Sequence, residues 1–494
     1  LVFPEIQLDG QSETPLYRQL FEKIGSMVES GQLMEGDRLP PTRELAGLLG
    51  LNRATVASAY NLLEKAGYIK GHVGRGSFVT ARLDTPAGVR KWRNLFVSGS
   101  EQQPGPLFSP ADATISFATS KPSESLFPLV EFREVAQEVL RDAGLASMLQ
   151  LGSPLGHEPL RSYLLETARA AGVAREGDDI VITNGCQQAL DLLQRVFIQP
   201  GDAVVVEDPV YPGLQQVLRR AGAKLIGVPV GEAGMDVESL ESCLRRERPK
   251  LLLLTPNFQN PTGITMSLGT RSALVRIARQ AGVAVVESDI YSELRYEGEA
   301  LPPLKTLDES GDGILLGSFS KIAFPGLRVG WVLGPRAVTA RLAEAKRWSD
   351  LHSCQLAQAV LLRFLESGAL EAHKVRVIEA GRIRRDAAVQ ACAREFPEGV
   401  AFTRPRGGMN LWIELPEWME ADTLLARAQT EGVVFLPGRY FAVSRPHTRC
   451  LRLSFAGLEP GKIRRGIEIL GGIVKEEFQR GHGSERFEQP VALV

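Results

Sequence analysis

The segment Gly317-Ser318-Phe319-Ser320-Lys321-Ile322-Ala323-Phe324-Pro325-Gly326-Leu327-Arg328 constrains this chain more than any other. The run just before it, Gly313-Ile314-Leu315-Leu316, reads as a short buried strand, which puts the lysine just past a strand end. A lysine held among apolar groups loses part of its preference for the charged state, and its free amine can attack an aldehyde and hold it as a Schiff base. Ser318, Ser320 and Arg328 supply the hydroxyl and guanidinium donors that clamp a phosphate ester. A bare Ser-x-Ser-Lys more often marks an exposed lysine after a strand. The extension to Pro-Gly-Leu-Arg shifts the balance toward chemistry.

An aldehyde to capture and a phosphate to clamp together specify pyridoxal 5'-phosphate. The extended segment resembles fold-type I aminotransferases, in the subgroup related to aromatic, kynurenine and 2-aminoadipate transaminases. That resemblance implies an α/β large domain binding pyridoxal phosphate, with Lys321 as the catalytic residue, and a smaller α+β C-terminal domain.

At 494 residues the chain exceeds a single core, so two or three domains are expected. A net charge of −1 confines any DNA binding to a local patch and calls for neither a nucleic-acid nor a membrane partner of the whole chain. Cys186, Cys243, Cys354, Cys392 and Cys450 show neither metal-ligand nor disulfide spacing, which suits a reducing cytoplasm. No run has the length of a membrane span or the pattern of a signal peptide. The sequence begins at Leu1, so a few initial residues are expected to precede it.

Leu16, Leu20, Ile24, Met27 and Val28 predict an amphipathic helix ending near Gly31. A short helix capped by Thr42 or a neighbour then stops at Gly50, and Asn52 caps a second, Arg53 to about Ala66. The pair makes a helix-turn-helix that presents Arg53, Thr55 and Ser58 to a major groove. Lys70 to Val79 form a glycine-tipped basic hairpin, a wing suited to a minor groove. Helix pairs also pack inside enzymes, but Lys65, Lys70, His72 and Arg75 against Glu64 favour DNA. Residues 12–81 resemble the GntR-type winged helix along their length. The resemblance implies DNA contacts from Arg43, Arg53, Thr55 and the wing glycine Gly76, to which Ser58 and Arg75 add candidates. Pro41 stands where a serine is usual, which removes one phosphate contact.

Residues 82–112 lose periodicity and collect Pro and Gly, as an interdomain linker does. Strands alternate with helices over 113–478, and a flexible tail is expected at 479–494. In this second domain Ile180–Thr183 leads into Asn184-Gly185-Cys186-Gln187-Gln188-Ala189-Leu190, a turn whose helix start can bind phosphate. It resembles the transaminase phosphate cup, with Cys186 and Gln187 at the contacting positions. By the same resemblance Tyr211 stacks on the pyridine ring and Asn260, in Asn-Pro-Thr-Gly, donates to the phenolic oxygen. As structure alone, Tyr211 would simply pack and Asn260 would simply turn the chain.

A carboxylate facing the pyridine nitrogen keeps it protonated, and Asp289 is the expected group. Tyr291, the expected partner of the phenolic oxygen, sits two residues on, where the family spacing is three. Counting three back from Tyr291 gives Ser288, and strand neighbours face opposite sides. Ser288 in that place would weaken the electron sink. A tyrosine that crosses to the partner subunit's phosphate in the family is Leu151 here. Arg452, between Leu451 and Leu453, matches the arginine that pairs with a substrate or effector α-carboxylate.

The order of the two parts resembles the MocR-type regulators of the GntR superfamily. The resemblance implies a homodimer with swapped domains, a double-stranded DNA operator, and an amine or amino-acid effector read through Lys321. The alternative is an active aminotransferase, taking an amino-acid donor and a 2-oxo acid acceptor, that carries an appended winged helix.

Overall fold

The computed structural model describes residues 6, 8, 14–29, 32–72, 76–80 and 115–484. It divides into two compact units, Leu1–Pro104 and Gly105–Val494. The expected linker, residues 82–112, and Arg75 lie outside the described residues.

In the first unit α1 (Leu16–Glu29), α2 (Thr42–Leu49) and α3 (Arg53–Lys65) enclose a small core around Leu20, Ile24, Leu45, Val56 and Leu63. The turn between α2 and α3 needs a left-handed residue, which Gly50 supplies at φ +64. Asn52 caps α3 by accepting from the Ala54 amide at 3.0 Å. At the start of α2 the N-cap position belongs to Pro41, which offers no side-chain cap, and Thr42 is already the first helical residue. Strands β1 (Ile69–His72) and β2 (Gly76–Val79) pair antiparallel from Ile69 opposite Val79 to His72 opposite Gly76, forming the wing. The Gly71 amide donates to the Glu64 carboxylate at 2.9 Å, tying the wing to α3.

In the second unit β3 (Ile115–Ser116) precedes an eight-stranded sheet. Its members are β4 (Asp178–Thr183), β5 (Ala203–Asp208), β6 (Lys224–Gly231), β7 (Gly234–Met235), β8 (Leu251–Leu254), β9 (Ala284–Ser288), β10 (Ile314–Ser318) and β11 (Gly330–Pro335). Their spatial order is β4-β11-β10-β9-β8-β5-β6-β7. From β10 to β6 neighbours run parallel, while β11 is antiparallel to both its neighbours and β7 closes a hairpin on β6. Parallel strands are covered on both faces, which is why Leu251–Leu254 is apolar throughout and buried throughout. Two helices matter for the site, α4 (Cys186–Phe197) after β4 and α5 (Pro212–Arg220) after β5.

A smaller antiparallel sheet follows, ordered β12 (Ala401–Phe402), β13 (Asn410–Glu414), β16 (Cys450–Ser454), β15 (Leu436–Pro437). Strand β14 (Val433–Val434) pairs in parallel with β3, so β3 is stitched into the small domain. The last helix spans Pro460–Ser484. It carries its periodic apolar face (Ile463, Ile467, Leu470, Val474, all buried) and continues past 478 to Ser484. Among the described residues no helix is long and apolar enough to cross a membrane. Nor do any three His, Cys, Asp or Glu residues gather as metal ligands there.

Candidate cofactor site and DNA-binding face

A cavity of about 450 Å³ opens at the carboxyl ends of the parallel strands, where an open α/β sheet binds its ligands. Lys321, three residues beyond β10, faces it, and its Nζ donates to the Ser120 carbonyl at 2.7 Å. Burial, with the Arg452 and Arg328 guanidinium groups adding to it against a smaller opposing pull from Cys186, pushes the ammonium down to about 8. The amine is therefore much closer to its nucleophilic form at neutral pH than an ordinary lysine.

One end of the cavity is built for an anion. The Ser318 hydroxyl donates to Ser320 Oγ at 3.0 Å and accepts from the Ser320 amide at 3.1 Å, which fixes both hydroxyls beside the lysine. Arg328, in the left-handed region at φ +56, places Nη2 3.0 Å from the Asn184 carbonyl. Among the described residues its guanidinium bonds only carbonyls, so its charge is left for a ligand. A Cβ on Gly185 would push that guanidinium aside, and Gly185 itself holds φ +76, the conformation that requires glycine. Helix α4 starts there without a side-chain cap, leaving its first-turn amides and positive end to an anion, with Cys186 and Gln187 at the cavity wall. Burial pushes the Cys186 thiol up to about 12, so it is a neutral wall and not a thiolate.

The middle and far end carry the remaining expected groups. Tyr211, 43% exposed at the start of α5, presents its ring to the cavity. Asn260 Nδ2 donates to Tyr291 Oη at 3.3 Å, so the two residues assigned to one phenolic oxygen do meet. Arg452 is 4% exposed, with its guanidinium over the Phe441 ring at 5.1 Å. Its Nη1 donates to Asn260 Oδ1 at 3.1 Å and Nη2 to the Ala118 carbonyl, while the buried Nε has no partner. Burial pulls it down to about 10, and it still holds its proton at neutral pH.

Asp289 is the exception and corrects the expected donor set. Its side chain turns away from the cavity, accepting from Asn257 Nδ2 at 3.0 Å and from Ser292 Oγ at 2.9 Å. Asn257 in turn accepts from the buried Arg271 at 2.7 Å. The residue of β9 that faces the cavity is Ser288, together with Val286. The reason is the alternation of strand side chains: Asp289 extends the pairing with β10 by one residue, through its amide to the Leu316 carbonyl at 2.9 Å, and so faces the other side. The chain turns only after it, which returns Ile290 and Tyr291 to the cavity.

Three contributors escaped the sequence. Ser120 receives the lysine from 201 residues away. Asp350 accepts from Asn184 at 2.6 Å, Gln188 at 2.7 Å and Lys346 at 2.6 Å, clasping the start of α4. Glu207 borders the cavity, pushed up to about 8 by burial against the opposing Thr255 amide and Gln259. No local signal marks the first two; Glu207 is at least an acid inside a valine-rich strand.

In the first unit Arg43, Arg53 and Ser58 are exposed and Thr55 is half-buried on the helix-turn-helix. Gly76, at φ +100, opens β2 on the wing, with the Arg38 guanidinium close against it, a basic neighbour that the motif reading passed over.

Fold and site together define an aminotransferase-like protein that carries a DNA-binding domain, and the cation, hydroxyls and helix start at one end of the cavity fit pyridoxal 5'-phosphate. The family described as "Aminotransferase class I and II" matches residues 121–470, and "Bacterial regulatory proteins, gntR family" matches residues 16–79. A 2-aminoadipate transaminase of Thermus thermophilus is 41% identical over 365 residues, 73% of this chain and 90% of its own. The probable rhizopine catabolism regulatory protein MocR of Rhizobium meliloti is 31% identical over 473 residues, 94% of each chain. The crystal structure of LysN, an α-aminoadipate aminotransferase of T. thermophilus complexed with N-(5'-phosphopyridoxyl)-L-leucine, superposes with a TM-score of 0.73 at 37% identity. It covers 78% of this chain and 99% of that one. The chain belongs to the MocR-type transcription regulators, a gntR-family winged helix fused to a class I and II aminotransferase domain.

Proposed function

We propose that this protein is a cytoplasmic, homodimeric transcription regulator that holds pyridoxal phosphate at Lys321 and changes its grip on a duplex operator when an amino compound, or the cofactor itself, engages that lysine. When bound, the cofactor supplies an aldehyde that captures amines and a ring that withdraws electrons. Arg328, Ser318, Ser320 and the start of α4 would hold the phosphate, Tyr211 would cover the ring, and Asn260 with Tyr291 would meet its phenolic oxygen. Arg452 would take an effector carboxylate through its free Nε edge. Arg43, Arg53, Thr55, Ser58 and the wing would meet DNA, and a two-fold dimer would read two half-sites.

The observation that supports sensing over turnover is Ser288. A serine hydroxyl in place of a carboxylate does not hold a pyridine nitrogen in its protonated form, so the site can capture amines while driving their further conversion poorly. Free thiols at all five cysteines fit a reducing compartment.

The test titrates candidate amines into the purified chain while following the cofactor absorption band and operator affinity together. Operator affinity should shift as the band shifts; constant affinity through a complete spectral change would reject sensing. Fast multiple turnover with an amino acid and 2-oxoglutarate would instead support the aminotransferase reading.

A further inference from the structure

The wall beside Arg452 is apolar on a fixed register. In the small sheet Arg452 on β16 lies directly opposite Trp412 on β13 and Leu436 on β15. Trp412 and Phe441 pack together at 5.6 Å between ring centres, and the Arg452 guanidinium rests on the Phe441 ring. Leu436 is the one of the two cross-strand neighbours that reaches the cavity, half-buried, on the same wall as the arginine. The guanidinium lines the cavity and still has a buried Nε without a partner. A carboxylate seated there brings the rest of its molecule alongside Leu436, with the half-exposed Tyr211 ring also lining the cavity.

We infer that Leu436 selects the effector, and that the effector is an α-amino acid with a single carboxylate and an apolar side chain. This rests on the reading of Lys321 and Arg452 as an amino-acid site. An aliphatic or aromatic side chain against Leu436 leaves water for an apolar surface, which favours binding. A second carboxylate against the same leucine loses its water without gaining a counter-charge, which opposes binding. An amine that lacks a carboxylate leaves the Arg452 Nε edge unfilled.

The full-length chain loaded with pyridoxal phosphate tests this with L-leucine, L-phenylalanine, L-glutamate and butylamine, read as the concentration that half-shifts the cofactor band. Leucine and phenylalanine should act at concentrations at least about tenfold below those of glutamate and butylamine. Leu436→Arg should bring glutamate to or below the leucine concentration, because a guanidinium gives the second carboxylate a partner. Leu436→Ala, which adds no charge and is the milder change at this half-buried position, should raise the leucine concentration several-fold and leave glutamate where it was. Glutamate acting as readily as leucine on the native chain, or a ranking that Leu436→Ala leaves unchanged, overturns the inference while the sensing function stands. A band that no panel member moves overturns the inference together with the reading of Lys321 and Arg452 as an amino-acid site.

Discussion

The two ends of the cofactor cavity have been treated differently. At the anchoring end, Ser318, Ser320, Arg328 and the start of α4 converge with Lys321 on one spot, and Gly185 leaves room that no other residue would leave. At the ring end, Asn260 and Tyr291 are paired, but β9 offers a serine while the neighbouring carboxylate is spent on Asn257 and Ser292. Holding a vitamin B6 aldehyde and exploiting it are separable tasks. The residues at the anchoring end suit the first task, and a serine at the ring end suits the second less well than a carboxylate would.

The largest expected effect tests the anchoring end. Borohydride reduction followed by intact mass measurement should find a pyridoxyl adduct on the native chain and none on Lys321→Ala; an adduct that survives the substitution would end the assignment of this lysine. Next in size, Ser288→Asp should raise single-turnover amino transfer about a hundredfold, the usual scale for restoring an electrostatic group at a reacting centre. No gain would mean that the ring end is not limited by this residue. Arg328→Ala should weaken cofactor affinity about ten- to hundredfold, since a hydrogen bond to a charged group contributes about 1.5–3 kcal/mol. Attachment should also depend on pH. The cofactor-free chain should take up pyridoxal phosphate about tenfold more slowly per unit below pH 8, because only the neutral amine attacks, and should level off above it. A rate that keeps climbing tenfold per unit from pH 8 to 10 would contradict the depressed lysine. Smallest, Asp289→Asn should leave the cofactor spectrum untouched and cost about 1 kcal/mol in denaturant unfolding, from one weakened buried bond. A spectral change there would return the aspartate to the cavity and dissolve the contrast between the two ends.

How much of this was legible depended on distance along the chain. The lysine segment, the phosphate cup at Gly185-Cys186-Gln187 and the Asn260 turn are each contiguous, so their residue types announce their chemistry, and the winged helix with its Asn52 cap and Gly50 turn was readable for the same reason. Asp289 and Ser288 were not separable, because alternation tells neighbours apart without saying which faces in; only the amide of Asp289 on Leu316 fixes that. Ser120 and Asp350 were beyond reach, lying 201 and 166 residues from the groups they bind. The final helix ran on past 478 through a polar, glycine-bearing stretch that composition reads as frayed.

The Lys321–Ser120 contact has a mechanical meaning. The Lys321 nitrogen that must take an aldehyde is the nitrogen that grips the Ser120 carbonyl, and two residues back the Ala118 carbonyl is gripped by Arg452. That short strap continues into β3, which is laced to Val433 and Val434 of the small domain. Whatever occupies the lysine therefore unfastens one of two buttons on this strip of chain beside the cavity, and whatever frees the lysine can fasten it again.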